Sequence, residues 1–410
     1  MDANRRQMLA ASGALASGLA GCSYLPFGGG VPYGSVSLPE SEPPRFRQWI
    51  PSESAFEPHV DAEQSGRIRY KRPGVGNRSV GRPFRINDTA LAPDMEHVGI
   101  GYTEYDAVVH NGSAIVGLTS VDRESVASAL EPTGYERTDT HRGYDRYTRS
   151  DKPRALAVGD EAIVAARADG TEPRELAVGR VTTTIDAKAG RVERRHESDD
   201  DFRVLTEMTG GRPSVRTSLP LTGLGEPSHS ALSHAFDEDN VYVVVDHVYA
   251  SAADRPDEST VRDALADTFD GPALLLPSEP DAVDIETDGR TLSIRIRQGV
   301  ESYLERVWAE RPPLVTFGVE FDGDQVTFTH EAGEPIPASR LGIRPEYGFD
   351  GGDPFEGGGT FEPGDSVTLT LTDDADESYI VSWQSAGETH HSLFEYHLGA
   401  RDENKTSARR

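Results

Sequence analysis

Few side chains in this sequence stand at a spacing that metal or acid–base chemistry requires. Two histidine patterns invite a metal interpretation, His390-His391 and His330-Glu331. Neighbouring residues of a strand point to opposite faces, so His390 and His391 cannot easily share one ion. His330-Glu331 lacks the second histidine of a His-Glu-x-x-His zinc helix. The sequence therefore predicts no metal, no cofactor and no assignable catalytic residue.

Two clusters of carboxylates could supply oxygen ligands to Ca²⁺. They comprise Asp373, Asp374, Asp376 and Glu377, and Asp350, Asp353 and Asp365. Neither has the fixed spacing of a calcium loop, and a chain with 69 acidic residues forms such clusters by chance. A calcium site and a solvated turn both stay open as interpretations.

Motifs for phosphate binding and nucleophilic catalysis are missing from the sequence. Gly74-Val75-Gly76 with Gly81 is followed by neither Lys-Ser nor a helical pattern, and it reads as a loop. No Gly-x-Ser-x-Gly elbow occurs. Pairs of catalytic carboxylates cannot be chosen among so many acids without geometry.

The charge balance indicates a protein that works in concentrated salt. Asp and Glu number 69 against 41 Lys plus Arg, which gives a net charge of −28, and only four of the basic residues are lysine. At about 1 M salt the Debye length is about 3 Å, so the acids repel each other little. An ordinary acidic protein is the alternative, but the acids are spread along the whole chain. Such a charge argues against nucleic acid as a partner.

The first 22 residues have the order of an export signal. Arg5-Arg6 precedes a weakly apolar run, Met8 to Ala20, which is too short to cross a bilayer. The run ends in Leu19-Ala20-Gly21-Cys22, and Cys22 is the one cysteine of the chain, so no disulfide can form within it. A charged start, an apolar core and small residues before a cysteine predict a signal peptide over residues 1–21. The alternative is an uncleaved helix on the membrane surface.

The arginine pair resembles the twin-arginine export signal, and Leu19-Ala20-Gly21-Cys22 resembles the lipobox of bacterial and archaeal lipoproteins. With its acidic composition, the chain resembles haloarchaeal lipoproteins of this route. The resemblance implies cleavage before Cys22, lipid on its thiol and an anchor on the extracellular face of the cell membrane. Asn4 is a mild departure, because the family has serine or threonine there. Cleavage would remove one acid and two arginines, so the net charge would change from −28 to −29.

Sequons and one basic stretch are further candidate sites. Asn77 and Asn87 begin Asn-x-Ser/Thr sequons and are candidates for N-glycosylation, whereas Asn111 falls in a predicted tight turn and Asn404 in the tail. The basic stretch could meet anionic lipid headgroups, or it could be a surface loop paired with acids. Its residues are Arg67, Arg69, Lys71, Arg72, Arg78, Arg82 and Arg85.

A lipidated tether is predicted for residues 22–58, because glycines and prolines break every periodicity there.

Two α+β units are predicted, one over residues 59–212 and one over residues 213–312. The first unit has a hairpin about Asn111-Gly112 and a helix capped by Asp122.

The second unit repeats the order of strand, helix and hairpin, with its own hairpin about Asp288-Gly289. The repeat predicts two ferredoxin-like units side by side. A cleft between them, with Tyr135, Tyr144 and Tyr147 as its first candidate lining, would suit a solute-binding protein or an enzyme.

Residues 313–400 predict an all-β sandwich, and residues 401–410 a polar tail. Strands alternate on both sides of Asp322-Gly323 and again from Val367 to Leu371. The predicted inward residues are Phe317, Val319, Val326, Phe328, Leu369, Ile380 and Trp383.

The stretch Val326 to Glu334, the strand Ile336 to Leu341 and the step Phe361 to Leu369 resemble the C-terminal domains of archaeal type IV pilins. The apolar N-terminal helix that packs a pilin filament is absent, so the resemblance implies the β-domain and not filament formation. The leading expectation is thus a lipid-anchored surface protein with a structural or protein-interaction role. A solute-binding protein or an enzyme is the alternative.

Overall fold

The computed structural model describes residues 31–59, 67–73, 75, 95, 98–101, 104–149, 153–168, 173–270, 276–277, 280–307, 313, 315–322, 325–345, 358–370, 378–384 and 390–397. Helices and strands are both present, with large antiparallel sheets, so the chain is mixed α+β as expected.

Seven α-helices lie in the described residues. They are α1 Glu53–Phe56, α2 Arg123–Leu130, α3 Arg174–Lys188, α4 Arg195–Ser198, α5 Asp200–Thr209, α6 Glu258–Asp270 and α7 Val300–Val307. Short 3₁₀ turns occupy Arg45–Trp49, Glu131–Thr133 and Ala338–Arg340.

Twelve strands precede the C-terminal module. They are β1 Arg69–Lys71, β2 Ala107–His110, β3 Ile115–Leu118, β4 Tyr135–His141, β5 Tyr144–Arg149, β6 Arg154–Val158, β7 Ala162–Arg167, β8 Ser214–Thr217, β9 His229–Phe236, β10 Asn240–Val248, β11 Ala282–Asp288 and β12 Thr291–Gly299. They form one antiparallel sheet in the order β11-β12-β10-β9-β8-β1-β2-β3-β7-β6-β5-β4.

This single sheet differs from the expected pair of units, each with its own sheet. The three-residue strand β1 pairs with β2 on one side and with β8 on the other, so the strands of both predicted units join edge to edge. The predicted repeat is visible within the sheet. In each half a hairpin leads to a helix, α2 or α6, and the last strand of the half then pairs beside the hairpin, β7 on β3 and β12 on β10.

Local sequence signals explain these elements. The hairpins about Asn111-Gly112 and Asp288-Gly289 form as predicted, with Gly112 and Gly289 at positive φ. The Asp122 carboxylate accepts the Glu124 amide at the start of α2, and Asp199 accepts the Phe202 amide at the start of α5.

The sheet has two covered faces, which we call the front and the back. The front face, which carries Ile163 and Val243, holds two apolar clusters, one under α2 and one under α6. The back face, which carries Val164 and Val215, holds one long cluster covered by α3 and α5. Between the two front clusters, β1, β8 and β9 carry polar side chains.

The sequence predicts a tether over residues 22–58, but residues 31–59 form a strap that belongs to the folded body. The amide of Gly34 donates to Val283 and the amide of Val283 donates to Pro32, both at 2.9 Å, so the strap pairs with the edge strand β11. Phe46 and Trp49 then enter the back-face core with 1% and 2% exposure. Because these apolar residues lie between prolines without a period, sequence alone gave no signal for their burial.

The C-terminal strands are β13 Val315–Asp322, β14 Gln325–Gly333, β15 Ile336–Pro337, β16 Leu341–Pro345, β17 Thr360–Phe361, β18 Ser366–Thr370, β19 Ser378–Gln384 and β20 His390–His397. Two three-stranded sheets, β13-β14-β18 and β16-β19-β20, contribute to one hydrophobic cluster that is separate from those of the main sheet.

Six of the seven predicted inward residues of this module are in that cluster or pack on it. On β19 the cluster includes Val381 and Trp383, whereas the side chain of Ile380 lies outside the part of the chain that the structure describes. The module touches the body where the Arg149 guanidinium lies 3.9 Å from the Glu320 carboxylate.

Candidate functional site

A cavity of about 270 Å³ opens where the two halves of the main sheet meet. The helices α4 and α5 supply one wall, and the chain from the end of β8 to the start of β9 supplies the other. Its lining residues are Arg195, Phe202, Thr217, Ser218, Pro220, Pro227, Ser228, His229 and Ser230. This is the boundary at which the sequence predicted a cleft, although other residues line it.

The strap holds one wall of the cavity in place. The Ser52 amide donates to the Glu193 carbonyl at 2.9 Å, and the Arg195 amide donates to the Ile50 carbonyl at 3.0 Å. These bonds fix the short helix α4, which is too short to be stable alone. Arg195 is thereby held at the cavity with 7% exposure.

Three titratable groups, Glu53, Asp199 and His229, surround Arg195. Its Nη2 lies 3.0 Å from Glu53 Oε1, and its Nε lies 3.5 Å from Asp199 Oδ2. The same Asp199 oxygen lies 3.0 Å from His229 Nε2. The Arg195 guanidinium also stands 4.9 Å from the centre of the Phe202 ring, a cation–π contact. A buried charge requires such partners, and here one cation meets two carboxylates.

The opposite wall combines apolar rings with hydroxyl groups. Pro220 and Pro227 face the cavity together with three serines. Ser218 has φ of +61°, a conformation that few residues other than glycine adopt, and its amide donates to the Ser230 carbonyl at 2.9 Å. After this turn, the chain between β8 and β9 lines the opening of the cavity.

A second ion pair closes the rim. Asp201 accepts hydrogen bonds from Arg290 and from the Ser228 side chain. Burial opposes ionisation of Asp201, but these hydrogen bonds outweigh it and lower the pKa of the carboxyl. Arg290 also donates to the Tyr249 carbonyl at 3.1 Å, so the rim is tied to the end of β10.

The cavity suits binding better than covalent chemistry. The charges of Arg195 and Arg290 are met by carboxylates, so the walls offer hydrogen bonds without a strong net field. His229 is oriented by Asp199, but the contacts of the described residues place no serine hydroxyl on its second ring nitrogen. Nor do His, Cys, Asp and Glu side chains of the described chain form a group of three that could hold a metal.

Most site residues predicted from sequence lie outside the described residues. These are Arg5, Arg6, Leu19, Ala20, Gly21, Cys22, Asn77 and Asn87. Most of the acidic clusters, residues 350, 353, 373, 374, 376 and 377, also lie outside them. Asp365 is described, and its carboxylate accepts the Glu362 amide at 2.7 Å within a turn.

Asn111 has a structural role that leaves no room for a glycan. Its side chain is 1% exposed. The amide nitrogen donates to the Trp49 carbonyl at 2.9 Å and to Thr184 at 3.1 Å, and the oxygen accepts two turn amides. Asn111 thus joins the β2–β3 hairpin to the strap and to α3.

The three tyrosines chosen as a cleft lining belong to the core. Tyr135 and Tyr147 lie in the front-face cluster under α2, and Tyr144 lies in the back-face cluster. They therefore face opposite sides of the sheet and cannot line one pocket. His330 is also a core residue, because its ring is fully buried with its centroid 5.6 Å from that of Phe317 and 5.9 Å from that of Phe361.

One buried ion pair lies away from the cavity, on the back face of the sheet. Arg212 Nη1 donates to Asp246 at 2.9 Å and to the Ser233 hydroxyl at 2.8 Å, and Ser293 donates to the other Asp246 oxygen at 2.7 Å. Every carboxylate oxygen of Asp246 has a partner. The hydrogen-bonding groups of this ion pair are satisfied within the cluster, which joins neighbouring strands, so its role is structural.

Comparison with known proteins identifies no relative by sequence, since no family model and no curated protein matches. Among solved structures, crystal forms III and I of TP0453 share 11% identity, with TM-scores of 0.36 and 0.35. Each alignment covers 66% of this chain, and 97% and 96% of the TP0453 chains, respectively. Among the described helices, none combines the length and the apolar character that a membrane crossing requires.

Proposed function

We propose that the chain is an extracellular lipoprotein, exported by the twin-arginine route and anchored to the cell membrane through lipid on Cys22, whose C-terminal module binds other cell-surface proteins. The order of Arg5-Arg6, an apolar run and Leu19-Ala20-Gly21-Cys22 supports the anchor. Halophilic character follows from the acidic, lysine-poor composition.

The observation that carries the interaction role is the outer face of the sheet β13-β14-β18, where hydroxyl and amide side chains line the ladder between β14 and β18. Thr327 pairs with Thr368, and their hydroxyls lie 2.8 Å apart. Thr329 pairs with Ser366, and Gln325 pairs with Thr370. On β13, Glu320 lies opposite Thr327, so a charged residue borders this ladder. An uncharged centre with charged residues at its rim is typical of protein interfaces.

Strand β18 adds a backbone edge to this face, since among the described strands it pairs with β14 alone. Such an edge can accept a strand from another protein. A sandwich of this kind, with the resemblance to archaeal type IV pilin C-terminal domains, fits contact between surface proteins. We propose a β-sandwich over residues 313–400 on this basis.

Site-specific photo-crosslinking in native membranes tests the interaction role. A crosslinking residue in place of Thr368 should give a discrete adduct with another envelope protein. The same residue in place of Thr138, an exposed position on the edge strand β4, is the matched control and should give none. Equal adducts at both positions, or none at Thr368, would contradict the proposal.

Cell fractionation tests the anchor separately. Cys22→Ser should leave the protein uncleaved or released into the medium. Replacing Arg5 and Arg6 by lysine should keep it inside the cell, where external protease cannot reach it. Mature Cys22→Ser protein that still sedimented with membranes would rule out lipidation.

The cavity favours a second candidate, an extracellular solute-binding protein or enzyme whose two ferredoxin-like α+β units, 59–212 and 213–312, meet at the ligand. Its volume is that of about nine waters in the liquid, so a bound molecule would have about a dozen non-hydrogen atoms. Balanced charges, hydroxyls and proline rings fit a small neutral polar molecule.

Native mass spectrometry of the mature protein, purified from its own cells in volatile salt, tests this candidate. A retained mass should disappear in Ser228→Trp, which fills the cavity. It should persist in Ser251→Trp, on an exposed turn at the end of β10. If the wild-type protein carries no additional mass, the proposal that the cavity binds a small molecule is wrong.

A further inference from the structure

The outer face of the sheet β13-β14-β18 is exposed on one side and buried on the other. On β18, Thr368 and Thr370 are exposed. On β13, Thr316 projects to the same face, because its neighbours Val315 and Phe317 both belong to the C-terminal core. Thr316 is nevertheless only 4% exposed. The outer face of the module is therefore covered at β13 and open at β18.

The body lies against the covered side. Ala332, which pairs with Thr316 across the ladder, has its Cβ 3.8 Å from the position that a Cβ on Gly101 would occupy, just before β2 of the body. Farther along β13, a carboxylate oxygen of Glu320 lies 3.9 Å from the Arg149 guanidinium on β5. The described contacts thus place the body over β13 and the end of β14.

This contact is polar and incompletely satisfied. The hydroxyl oxygens of Thr316 and Tyr105 are inaccessible to solvent, and neither has a hydrogen-bond partner among the described residues. Burial raises the pKa of Tyr105, and the charge of Glu331 on β14 raises it further, so the module acts on this buried ring of the body. Unpaired polar atoms weaken a contact, and polar contacts between domains permit relative motion.

One row of side chains joins the open side of the face to the covered side. Thr368 lies opposite Thr327, and Thr327 lies opposite Glu320, so neighbouring strands place these side chains about 4.8 Å apart. Thr368 and Thr327 belong to the face that we assign to protein interaction, whereas Glu320 contacts Arg149 of the body. A partner that covers the whole row must displace the body at Glu320.

We propose that the body masks the β13 side of the outer face, and that a partner protein binds this face after the module has been released from the body. The inference rests on the interaction role proposed above and adds its regulation, because the docked module is the autoinhibited form. Only the released fraction of the protein binds, so docking lowers the apparent affinity for the partner in proportion to that fraction.

Thiol labelling of the purified chain measures the masking without a partner. In a Cys22→Ser background, Thr316→Cys should react with a maleimide far more slowly than Thr368→Cys. Gly101→Trp places a bulky side chain of the body against Ala332. It should accelerate the labelling of Thr316→Cys and leave that of Thr368→Cys unchanged. Equal labelling rates of Thr316→Cys and Thr368→Cys in the chain with Gly101 would overturn the masking.

A disulfide between body and module tests the consequence for binding. Gly101→Cys and Ala332→Cys would have Cβ atoms 3.8 Å apart, the usual separation across a disulfide. The nearest other atom, Glu104 Oε2, ends a flexible side chain and can shift. With the crosslinking residue at Thr368, the cysteine pair should give the partner adduct in native membranes when reduced and lose it when oxidised. Each single-cysteine variant is a matched control and should give the same adduct under both conditions.

The outcomes distinguish the masking from the interaction role. Loss of the adduct in the oxidised pair alone supports the masking. Equal adducts from the oxidised and the reduced pair would overturn the masking and leave the interaction role intact. If wild type, the reduced pair and Gly101→Trp all gave no adduct at Thr368, the interaction role itself would be wrong, and the proposed regulation with it.

Discussion

The protein should lose stability in mild acid because His247 is buried in its neutral form. The ring is fully buried on the front face, and Nδ1 lies 3.1 Å from the Tyr249 hydroxyl. Since the Tyr249 hydroxyl donates to the Leu224 carbonyl at 2.9 Å, its oxygen accepts the proton on His247 Nδ1. The other nitrogen, Nε2, is buried without a partner, so protonation would place a charge where nothing stabilises it.

The direction and size of the effect follow from linkage. Burial lowers the pKa of His247 to about 4, whereas an unfolded histidine titrates near 6.5. Between these values the unfolded chain binds more protons, so stability is highest above pH 6.5 and falls as the pH decreases toward 4. From pH 7 to pH 5, this one residue should lower the free energy of unfolding by about 2 kcal/mol.

Urea unfolding in molar KCl at pH 7 and pH 5 measures this loss, with His247→Asn as the test variant. Asparagine keeps a donor near the position of Nδ1 and cannot titrate. The variant should be less stable at pH 7, but its loss on going to pH 5 should be about 2 kcal/mol smaller than that of the wild type.

Val243→Ala is the control for a general loss of stability. It lies on the same strand and the same face and is fully buried. It should lower stability equally at both pH values, because it removes packing and no proton site. If His247→Asn and wild type lost the same free energy between pH 7 and pH 5, His247 would not be a source of the acid sensitivity.

Three further predictions concern packing, salt and the cavity wall. Trp383→Ala should cost about 3–5 kcal/mol in denaturant unfolding, because its ring is 3% exposed in the C-terminal core, whereas Thr368→Ala on the outer face should change stability by less than about 0.5 kcal/mol. The melting temperature should be lower in 0.1 M salt than in molar salt, because the Debye length grows to about 10 Å and the acidic side chains, with a net charge of −28, then repel each other. An unchanged melting temperature would refute the halophilic interpretation. Asp199→Ala should lower the free energy of unfolding by about 1–2 kcal/mol, because it removes the cap of α5 together with the partner of Arg195 and His229. Asp199→Ser should recover the part of this loss that is due to the cap. Equal losses in both variants would show that the cap contributes nothing.

Local features of the fold were predictable because a few neighbouring residues determine them. Asn111-Gly112 and Asp288-Gly289 made hairpins, and Asp122 and Asp199 capped helices, since turn and cap chemistry acts within four residues. Alternation in the C-terminal strands likewise gave most of that core.

Long-range features were not predictable from the same signals. Strand β1 has three residues inside a basic stretch, yet it joins the two halves of the sheet. Arg195 and His229 are 34 positions apart, and only the pairing of β8 with β9 and the strap over α4 bring them to one cavity. The run Asp199-Asp200-Asp201, with acids typical of the start of a helix, is the one sequence signal at this place.

Under the anchor that we propose at Cys22, the pairing of the strap with the twelve-stranded sheet has a mechanical consequence. Ten positions separate Cys22 from Pro32, where the strap bonds the edge strand β11, so that link can reach at most about 35 Å. The chain passes from β12 through α7 into the C-terminal module, and β12 pairs directly with the edge strand β11. The module also meets the other half of the sheet where Glu320 faces Arg149 on β5, ten strand spacings from β11, or about 48 Å along the sheet. Load on the module would therefore reach the strap by a short route, through α7 and the ladder between β12 and β11, and by a long route across the sheet. Both routes end at the two hydrogen bonds at Val283 and at the buried rings of the strap.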